Sequence, residues 1–252
     1  MKIQLIRHAT LLLTYAGVRF LIDPMFSGRE ENPPIPNTAN DRRNPLVPLP
    51  AAVSPNTYAQ PDVLVVTHLH RDHWDSAAAA VIPKATPVLC QPGDEAAFQE
   101  AGFTSVTAVN ASISVHGVTL TRTSGQHGTG EIGRMMGRVS GFVFQAEGEP
   151  TVYLAGDTIW CEDVREAIAI HKPEWAILNA GGARFTTGDP ITMDADDMIQ
   201  VCRFAPQLKL VAVHMDAINH CLVTRADLRE RLAREGLLEQ VMIPEDGEKV
   251  VG

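Results

Sequence analysis

Short apolar runs recur along the whole chain, and Gly, Pro or Asp bound most of them. Several are rich in β-branched and aromatic residues, which suit a pleated, half-buried surface. The pattern predicts strands at Ile3–Leu5, Leu11–Tyr15, Arg19–Ile22, Val63–Thr67, Pro87–Cys90, Val118–Thr123, Gly141–Gln145, Thr151–Leu154, Ala176–Asn179 and Leu208–His214. Helical spacing is rarer. Ser76–Val81 follows a cap candidate, Asp75, and Asp94–Ala101 stops at Gly102, a terminator that tolerates left-handed backbone. Glu162–His171 ends before Pro173. Asp194–Phe204 and Thr224–Glu235 are the clearest amphipathic helices, the second opening on a Thr cap and stopping at Gly236. Strands come first, then strands mixed with helices, so the chain reads as α/β (α+β) with much antiparallel pairing.

One stretch breaks the pattern. Gly28–Pro61 holds eight of the seventeen prolines and has no periodicity. A long irregular segment inside a compact domain is usually a functional loop or a linker. Its flanks read as strands of one sheet, so we expect a Pro-rich loop packed near a site, within a single domain spanning 1–252.

Composition narrows the function classes. The 252 residues are 45% hydrophobic and 20% charged, with 21 Lys+Arg against 30 Asp+Glu and a formal net charge of −9. Disorder is excluded by ordinary apolar content and moderate charge. A basic nucleic-acid binder is excluded by the charge balance. No apolar stretch reaches the roughly 18–20 residues that span a bilayer. The N-terminus meets Lys2 and Arg7 too early for a signal peptide. Cys90, Cys161, Cys202 and Cys221 form no CxxC pair, and we read them as free thiols of a cytoplasmic protein.

The chemistry concentrates after the strand Val63–Thr67, where the chain reads His68-Leu69-His70-Arg71-Asp72-His73. In an extended segment, residues two apart point to one side, so His68 and His70 share a face. Asp72 and His73 sit where the chain turns towards a helix. Neutral imidazole and carboxylate are ligands expected for zinc, manganese or iron. Further candidates stand at strand ends: His127 after Val118–Thr123, Asp157 after Thr151–Ala155, and His214 closing Leu208–Val213. More ligands than one ion needs point to two metals.

In order and spacing these seven residues resemble the metallo-β-lactamase superfamily, whose fold is a four-layer αββα sandwich with metals at one edge. The resemblance covers essentially the whole chain. Ile6-Arg7-His8-Ala9-Thr10, then Leu21-Ile22-Asp23-Pro24, Gly181-Gly182 and Thr192-Met193-Asp194 look like the L-ascorbate-6-phosphate lactonase-like branch. Carried over position by position, the resemblance implies one divalent ion on His68, His70 and His127 and a second on Asp72, His73 and His214. Asp157 would bridge them, with zinc or manganese as the metals and iron a third candidate. It implies a hydrolase whose metal-bridging hydroxide attacks a small ester, lactone or phosphoester. Shared water between two cations becomes acidic enough to supply a nucleophile near pH 7. Asp72 and Asp157 then count as catalytic as well as ligating.

The surrounding residues carry weaker signals. Asp23 is a candidate to orient a ligating histidine. His8 is expected to contact substrate or orient a ligand, and His220 to reach the cleft. Trp74 either walls the pocket or packs behind the motif. Arg42 and Arg43 could receive an anionic substrate, although a solvated loop face is the plainer reading. His116 and His171 read as surface or element-end residues, Trp160 and Trp175 as packing residues. The expected partner is a small molecule, anionic ones included, with no nucleic acid and no membrane; a homo-oligomer is open. Two alternatives share the fold, a mononuclear-iron oxidoreductase resembling sulfur dioxygenases and a nuclease. The net charge of −9 weighs against the nuclease, since DNA affinity leans on Lys and Arg neutralising phosphates.

Overall fold

Two seven-stranded sheets follow from the apolar runs, in a computed structural model that describes residues 1–51 and 60–251. The part of the Pro-rich segment at 52–59 lies outside the described residues. The first sheet contains β1 (Lys2–Arg7), β2 (Thr10–Tyr15), β3 (Val18–Ile22), β4 (Val63–Val66), β5 (Val88–Cys90), β6 (Val106–Ala108) and β14 (Lys249–Val251), in the order β14-β1-β2-β3-β4-β5-β6. The second contains β7 (Ser112–Val115), β8 (Val118–Ser124), β9 (Ser140–Gln145), β10 (Val152–Leu154), β11 (Trp175–Asn179), β12 (Lys209–Val213) and β13 (Val241–Met242), ordered β13-β12-β11-β10-β9-β8-β7. Each sheet is half antiparallel and half parallel: antiparallel pairing runs through β14-β1-β2-β3 and β7-β8-β9-β10, and parallel pairing through β3-β4-β5-β6 and β10-β11-β12-β13.

Side-chain alternation explains the layers. In β4, Val63 and Val65 face the second sheet, while Leu64 and Val66 face helices. In β12, Val211 and Val213 face the first sheet, while Leu210 and Ala212 face the opposite helices. Strands covered on both faces read as continuous apolar runs, which is why these runs lack a polar alternate. Phe20, Phe142 and Phe144 are fully buried between the sheets. Each contributes about 1.5–3 kcal/mol relative to exposure.

Helices α1 (Ser76–Val81) and α2 (Glu95–Glu100) lie on the first sheet. Helices α4 (Glu162–His171), α5 (Ala195–Phe204) and α6 (Arg225–Arg234) lie on the second. The result is the four-layer αββα sandwich. Two caps are those the sequence names: Asp75 accepts from Ala78 N at 2.7 Å, and Thr224 forms a capping box with Asp227; Asp194 adds a third, accepting from Asp196 N and Asp197 N.

Some elements escape the pattern. Helix α3 (Gly130–Met136) carries two glycines, Gly130 and Gly133, residues that weaken helix propensity. It forms because Ile132 and Met136 pack into a small apolar cluster with Met25 and Ile191. The edge strands β6, β7, β13 and β14 are short, and pairing with a neighbouring strand defines them. All four cysteines are free and buried. Among the described residues no helix is long and apolar enough to cross a membrane.

Candidate metal centre

The strands deliver their polar ends to one edge of the sandwich. Beyond β4, His73 N and Trp74 N both donate to His70 O at 2.9 Å, a turn that folds His68, His70, Asp72 and His73 round one point. Asp75 secures the far side of this turn, also accepting from Ser27 N at 2.7 Å and Ser27 Oγ at 2.6 Å. Asp157 follows Gly156, which has φ of +71°; a Cβ there would lie 2.6 Å from Ser140 O. His214 follows β12, and its N–H donates to His8 O at 3.0 Å, tying the β1–β2 turn to the second sheet. Gly181 lets the backbone close in, since a Cβ there would sit 2.1 Å from His214 O. His8, Asp23 and His214 adopt left-handed backbone, with φ of 60°, 44° and 68°. Each such conformation costs about 1–3 kcal/mol and persists only where its surroundings enforce it.

The inward atoms form two groups. His70 Nδ1 lies 3.0 Å from His68 Nε2 and 3.3 Å from His127 Nε2. In the second group His73 Nε2 lies 3.2 Å from His214 Nε2, and Asp72 Oδ2 lies 3.3 Å from His214 Nε2 and 3.8 Å from His73 Nε2. Asp157 stands between them: Oδ2 is 3.6 Å from His127 Nε2 and 3.9 Å from His68 Nε2, and Oδ1 is 3.3 Å from His214 Nε2.

The outward atoms fix the tautomers. His127 Nδ1 donates to Ile191 O at 2.8 Å, and His73 Nδ1 to Asp23 Oδ2 at 2.8 Å. Thr67 Oγ1 gives its own proton to Asp23 Oδ2 at 2.7 Å and so accepts from His68 Nδ1 at 3.0 Å. In their neutral forms these three histidines therefore turn bare Nε2 atoms inward. His214 Nδ1 lies 3.5 Å from Cys221 Sγ. Asn179 Nδ2 donates to Asp157 Oδ1 at 2.6 Å. Inward lone pairs at such distances repel unless a cation lies among them. Tetrahedral ligands about 2.0–2.1 Å from zinc stand about 3.3–3.4 Å apart, close to the spacings here. The residues fit divalent cations, and the outward carboxylate, carbonyl and hydroxyl partners are those that orient metal-bound imidazole.

The charges agree. Burial opposes ionisation of Asp72 and Asp157, but the surrounding histidines overcome it and hold both carboxyls well below the ordinary range. Burial lowers the pKa of His68 and of His127, which favours the neutral, ligating form. Burial also opposes charge on His73, yet Asp157, Asp23 and Asp72 together hold its pKa well above the ordinary value. That concentration of negative charge is a demand for a cation.

A cavity of about 250 Å³ opens over this cluster. His70, Asp72, His127 and Asp157 contribute to its lining, with His220 beside them. Met25, Pro33, Ile35, Met136, Phe185, Ile191 and Ile218 supply apolar surface. Burial pushes His220 down to about 4. His8 has a different place: it is fully buried behind Asp72, with Nε2 3.1 Å from Asp72 Oδ2 and its ring 3.6 Å from that of His214. It does not contribute to the lining of this cavity, and its polar contact is with Asp72. Trp74 packs behind the motif on Phe98 and Phe103. Arg43 is spent on Glu30 O and Glu31 O. Trp160 packs on Phe204 and Trp175 is buried. His116 is exposed in a turn, and His171 ends α4 half-buried. Sequence reasoning missed Thr67, Asn179, Cys221 and the Ile191 carbonyl. Only Thr67, next to His68, carried a local signal.

The profile of a family described as beta-lactamase superfamily domain matches residues 18–215. The UPF0173 protein YddR of Bacillus subtilis (strain 168) is 36% identical over 251 residues, covering 98% of each chain. An isothiocyanate hydrolase from Delia radicum gut bacteria superimposes with a TM-score of 0.94 at 37% identity, over 100% of this chain and 99% of that one. A possible metal-dependent hydrolase from Veillonella parvula DSM 2008 gives a TM-score of 0.95 at 35% identity, over 99% and 98%.

Proposed function

The chain belongs to the metallo-beta-lactamase superfamily and, within it, to the UPF0173 metal-dependent hydrolase family, and from that premise we propose that it hydrolyses small, uncharged electrophiles of the isothiocyanate class at a dinuclear site. His68, His70 and His127 would hold one divalent ion and Asp72, His73 and His214 the other, with Asp157 available to both. When bound, the ions supply an acidified water and a Lewis acid for the substrate's polarised atom. Zinc and manganese suit the donor set best.

The observation that carries the substrate class is the cavity wall. Among the described residues seven apolar side chains line it, and Arg71 is the one Lys or Arg there. Such a wall suits an alkyl or aryl group better than a strongly hydrated, multiply charged one. An isothiocyanate carries an electrophilic carbon between nitrogen and sulfur and has no charge. Similarity to an isothiocyanate hydrolase at 37% identity supports the same class. Water oxygen bonds to the central carbon, the C=N electron pair moves to nitrogen, and nitrogen takes a proton. The resulting thiocarbamic acid passes its remaining acidic proton to nitrogen as the C–N bond breaks, leaving an amine and carbonyl sulfide. Burial keeps His220 neutral near pH 7, so this cavity residue is suited to relay the proton, taking it from the attacking water on one ring nitrogen while the other N–H gives one to the substrate nitrogen. Asp72 and Asp157 hold negative charge at the floor, and the apolar wall excludes bulk water. Esters and lactones present a similar uncharged electrophilic carbon and are the second class, in keeping with the lactonase-like hairpin.

The test is substrate profiling with measured metal content. Benzyl isothiocyanate, a γ-lactone, an ester and a phosphodiester are offered to the zinc- and manganese-loaded protein, with amine and carbonyl sulfide release followed directly. We expect the isothiocyanate to have the highest kcat/KM, and His68→Ala and Asp157→Ala to abolish turnover. Equal turnover in wild type and variants, or preference for the phosphodiester, overturns the reading.

A further inference from the structure

The geometry points to Asn219 as a positioning residue that sets substrate selectivity by holding residues 32–44 as a wall of the cavity; this rests on the isothiocyanate reading above. Asn32, Pro33, Ile35 and Asn44 line the cavity, although they lie in a segment whose own regular pairing is one isolated bridge, Asn32 to Asn44. Backbone without a ladder must find other partners when it is packed down. Here one buried side chain supplies them. Ile35 N donates to Asn219 Oδ1 at 3.0 Å, and Asn44 Nδ2 donates to the same oxygen at 2.8 Å. Asn219 Nδ2 donates among Thr38 Oγ1 at 2.7 Å, Asn40 O at 2.9 Å and Ile35 O at 3.1 Å. The backbone joins in: Asn219 N donates to Asn44 Oδ1, and Asn40 Nδ2 donates to Asn219 O, both at 2.9 Å.

Asn219 is 1% exposed. Its chain neighbours Ile218 and His220 both line the cavity, while its own amide is turned into the loop. The same short stretch that follows His214 therefore presents one residue to the wall, one to the reacting centre, and one to the clamp between them. Ile35, pinned on both its N–H and C=O, packs into the apolar cluster that contains Met25, Ile191, Ile218 and Phe185. A wall held this way is preorganised, so a fitting organic group need not order it on binding. The clamp acts through the loop and touches no reacting atom. Its signature is thus selectivity between side chains, expressed in KM.

The experiment compares wild type, Asn219→Asp and Ile35→Ala with phenethyl and methyl isothiocyanate, alongside metal content and amide hydrogen exchange. Asn219→Asp keeps the acceptors and removes the two N–H donors; Ile35→Ala trims the wall itself and keeps the result interpretable if Asn219→Asp does not fold. We expect each variant to lower the phenethyl-over-methyl ratio of kcat/KM at least tenfold through KM. In Asn219→Asp the kcat for the methyl compound should stay within threefold and metal content should equal wild type. In Asn219→Asp, exchange should quicken within residues 32–46 and stay unchanged at Thr67–Asp75. An unchanged ratio, a parallel loss of kcat on both substrates, metal loss, or a wild type without preference overturns the proposal. If wild type hydrolyses neither compound, the functional reading falls by itself. The exchange comparison then decides the clamp: quickening confined to 32–46 upholds it and unchanged exchange overturns it.

Discussion

His73 spans the boundary between the metal cluster and its support: Nδ1 is 2.8 Å from Asp23 Oδ2, and Nε2 is 3.2 Å from both His214 Nε2 and Asp157 Oδ2. Asp23 sits just past β3, and also accepts from Thr67 N and Thr67 Oγ1 at 2.7 Å each. One buried carboxylate thereby orients His73 directly and His68 through Thr67.

Replacing Asp23 should weaken the centre without removing a ligand. Outer partners of ligating histidines are typically worth about 10–100-fold in metal affinity or activity. We expect Asp23→Asn to lower zinc affinity within that range in a chelator competition. Unchanged affinity would show that backbone alone orients His73 and His68.

His8 and His220 should separate cleanly. His8 contacts Asp72 and lies outside the cavity, whereas His220 lines it. His8→Ala should lower metal content, read by elemental analysis. His220→Gln should keep wild-type metal content and lose kcat by about 10²–10⁴-fold, the usual range for a positioned proton carrier. Metal loss in His220→Gln would contradict its assignment.

Chelation should cost stability as well as activity. Ligands that bind only the folded state stabilise by about 2.7 kcal/mol at a hundredfold excess over Kd. Dialysis against a chelator should lower Tm, and added zinc or manganese should restore both Tm and turnover. An unaltered Tm would argue that the cluster binds metal weakly.

Gly181→Ala should be severe for so small a change. Its Cβ would sit 2.1 Å from His214 O and 3.1 Å from Cys221 Cβ. Overpacking typically costs about 1–3 kcal/mol, and here the displaced backbone bears a proposed ligand. Urea unfolding and metal content should both register the loss.

Asp197, in the first turn of α5, gives a pH signature away from the metals. Burial first, with Asp194 and Asp196 adding to it, raises its pKa from 3.8 to about 6. A carboxyl whose folded pKa is raised favours the folded state when protonated. That contribution is complete below about pH 3.8 and is lost as pH rises through about 6. Asp197→Asn should therefore raise Tm at pH 7–8 relative to wild type and give no gain near pH 4. The same difference at both pH values would point to packing instead of charge.

The local pattern carried much of this. Val63–Val66, Trp175–Asn179 and Lys209–Val213 are apolar runs whose strand character is readable one residue at a time, and Asp75 and Thr224 announce their helices by capping chemistry. Helix α3 was hidden by Gly130 and Gly133, because its stability comes from Ile132 and Met136 meeting side chains distant in sequence. The short edge strands were hidden for a related reason, since pairing defines them.

The metal-site candidates divide along the same line. His68, His70, Asp72 and His73 are legible because one turn brings them together within six residues, so the chemistry is written in local spacing. His127, Asp157 and His214 are legible as polar residues at strand ends. The sequence by itself thus marked the candidate donors, the alternation that makes two sheets and the Asp75 and Thr224 caps, because each depends on neighbours a few positions apart. Tertiary structure alone decided which donors face which. It put Asp157 between the two groups, set His8 behind Asp72, gave His214 the Cys221 thiol, and laid Ile35 against the cavity under Asn219. The partners in the last of these lie 184 residues apart. Nothing in local propensity encodes such a distance; it is fixed when two sheets pack and their polar ends must satisfy one another at a shared edge.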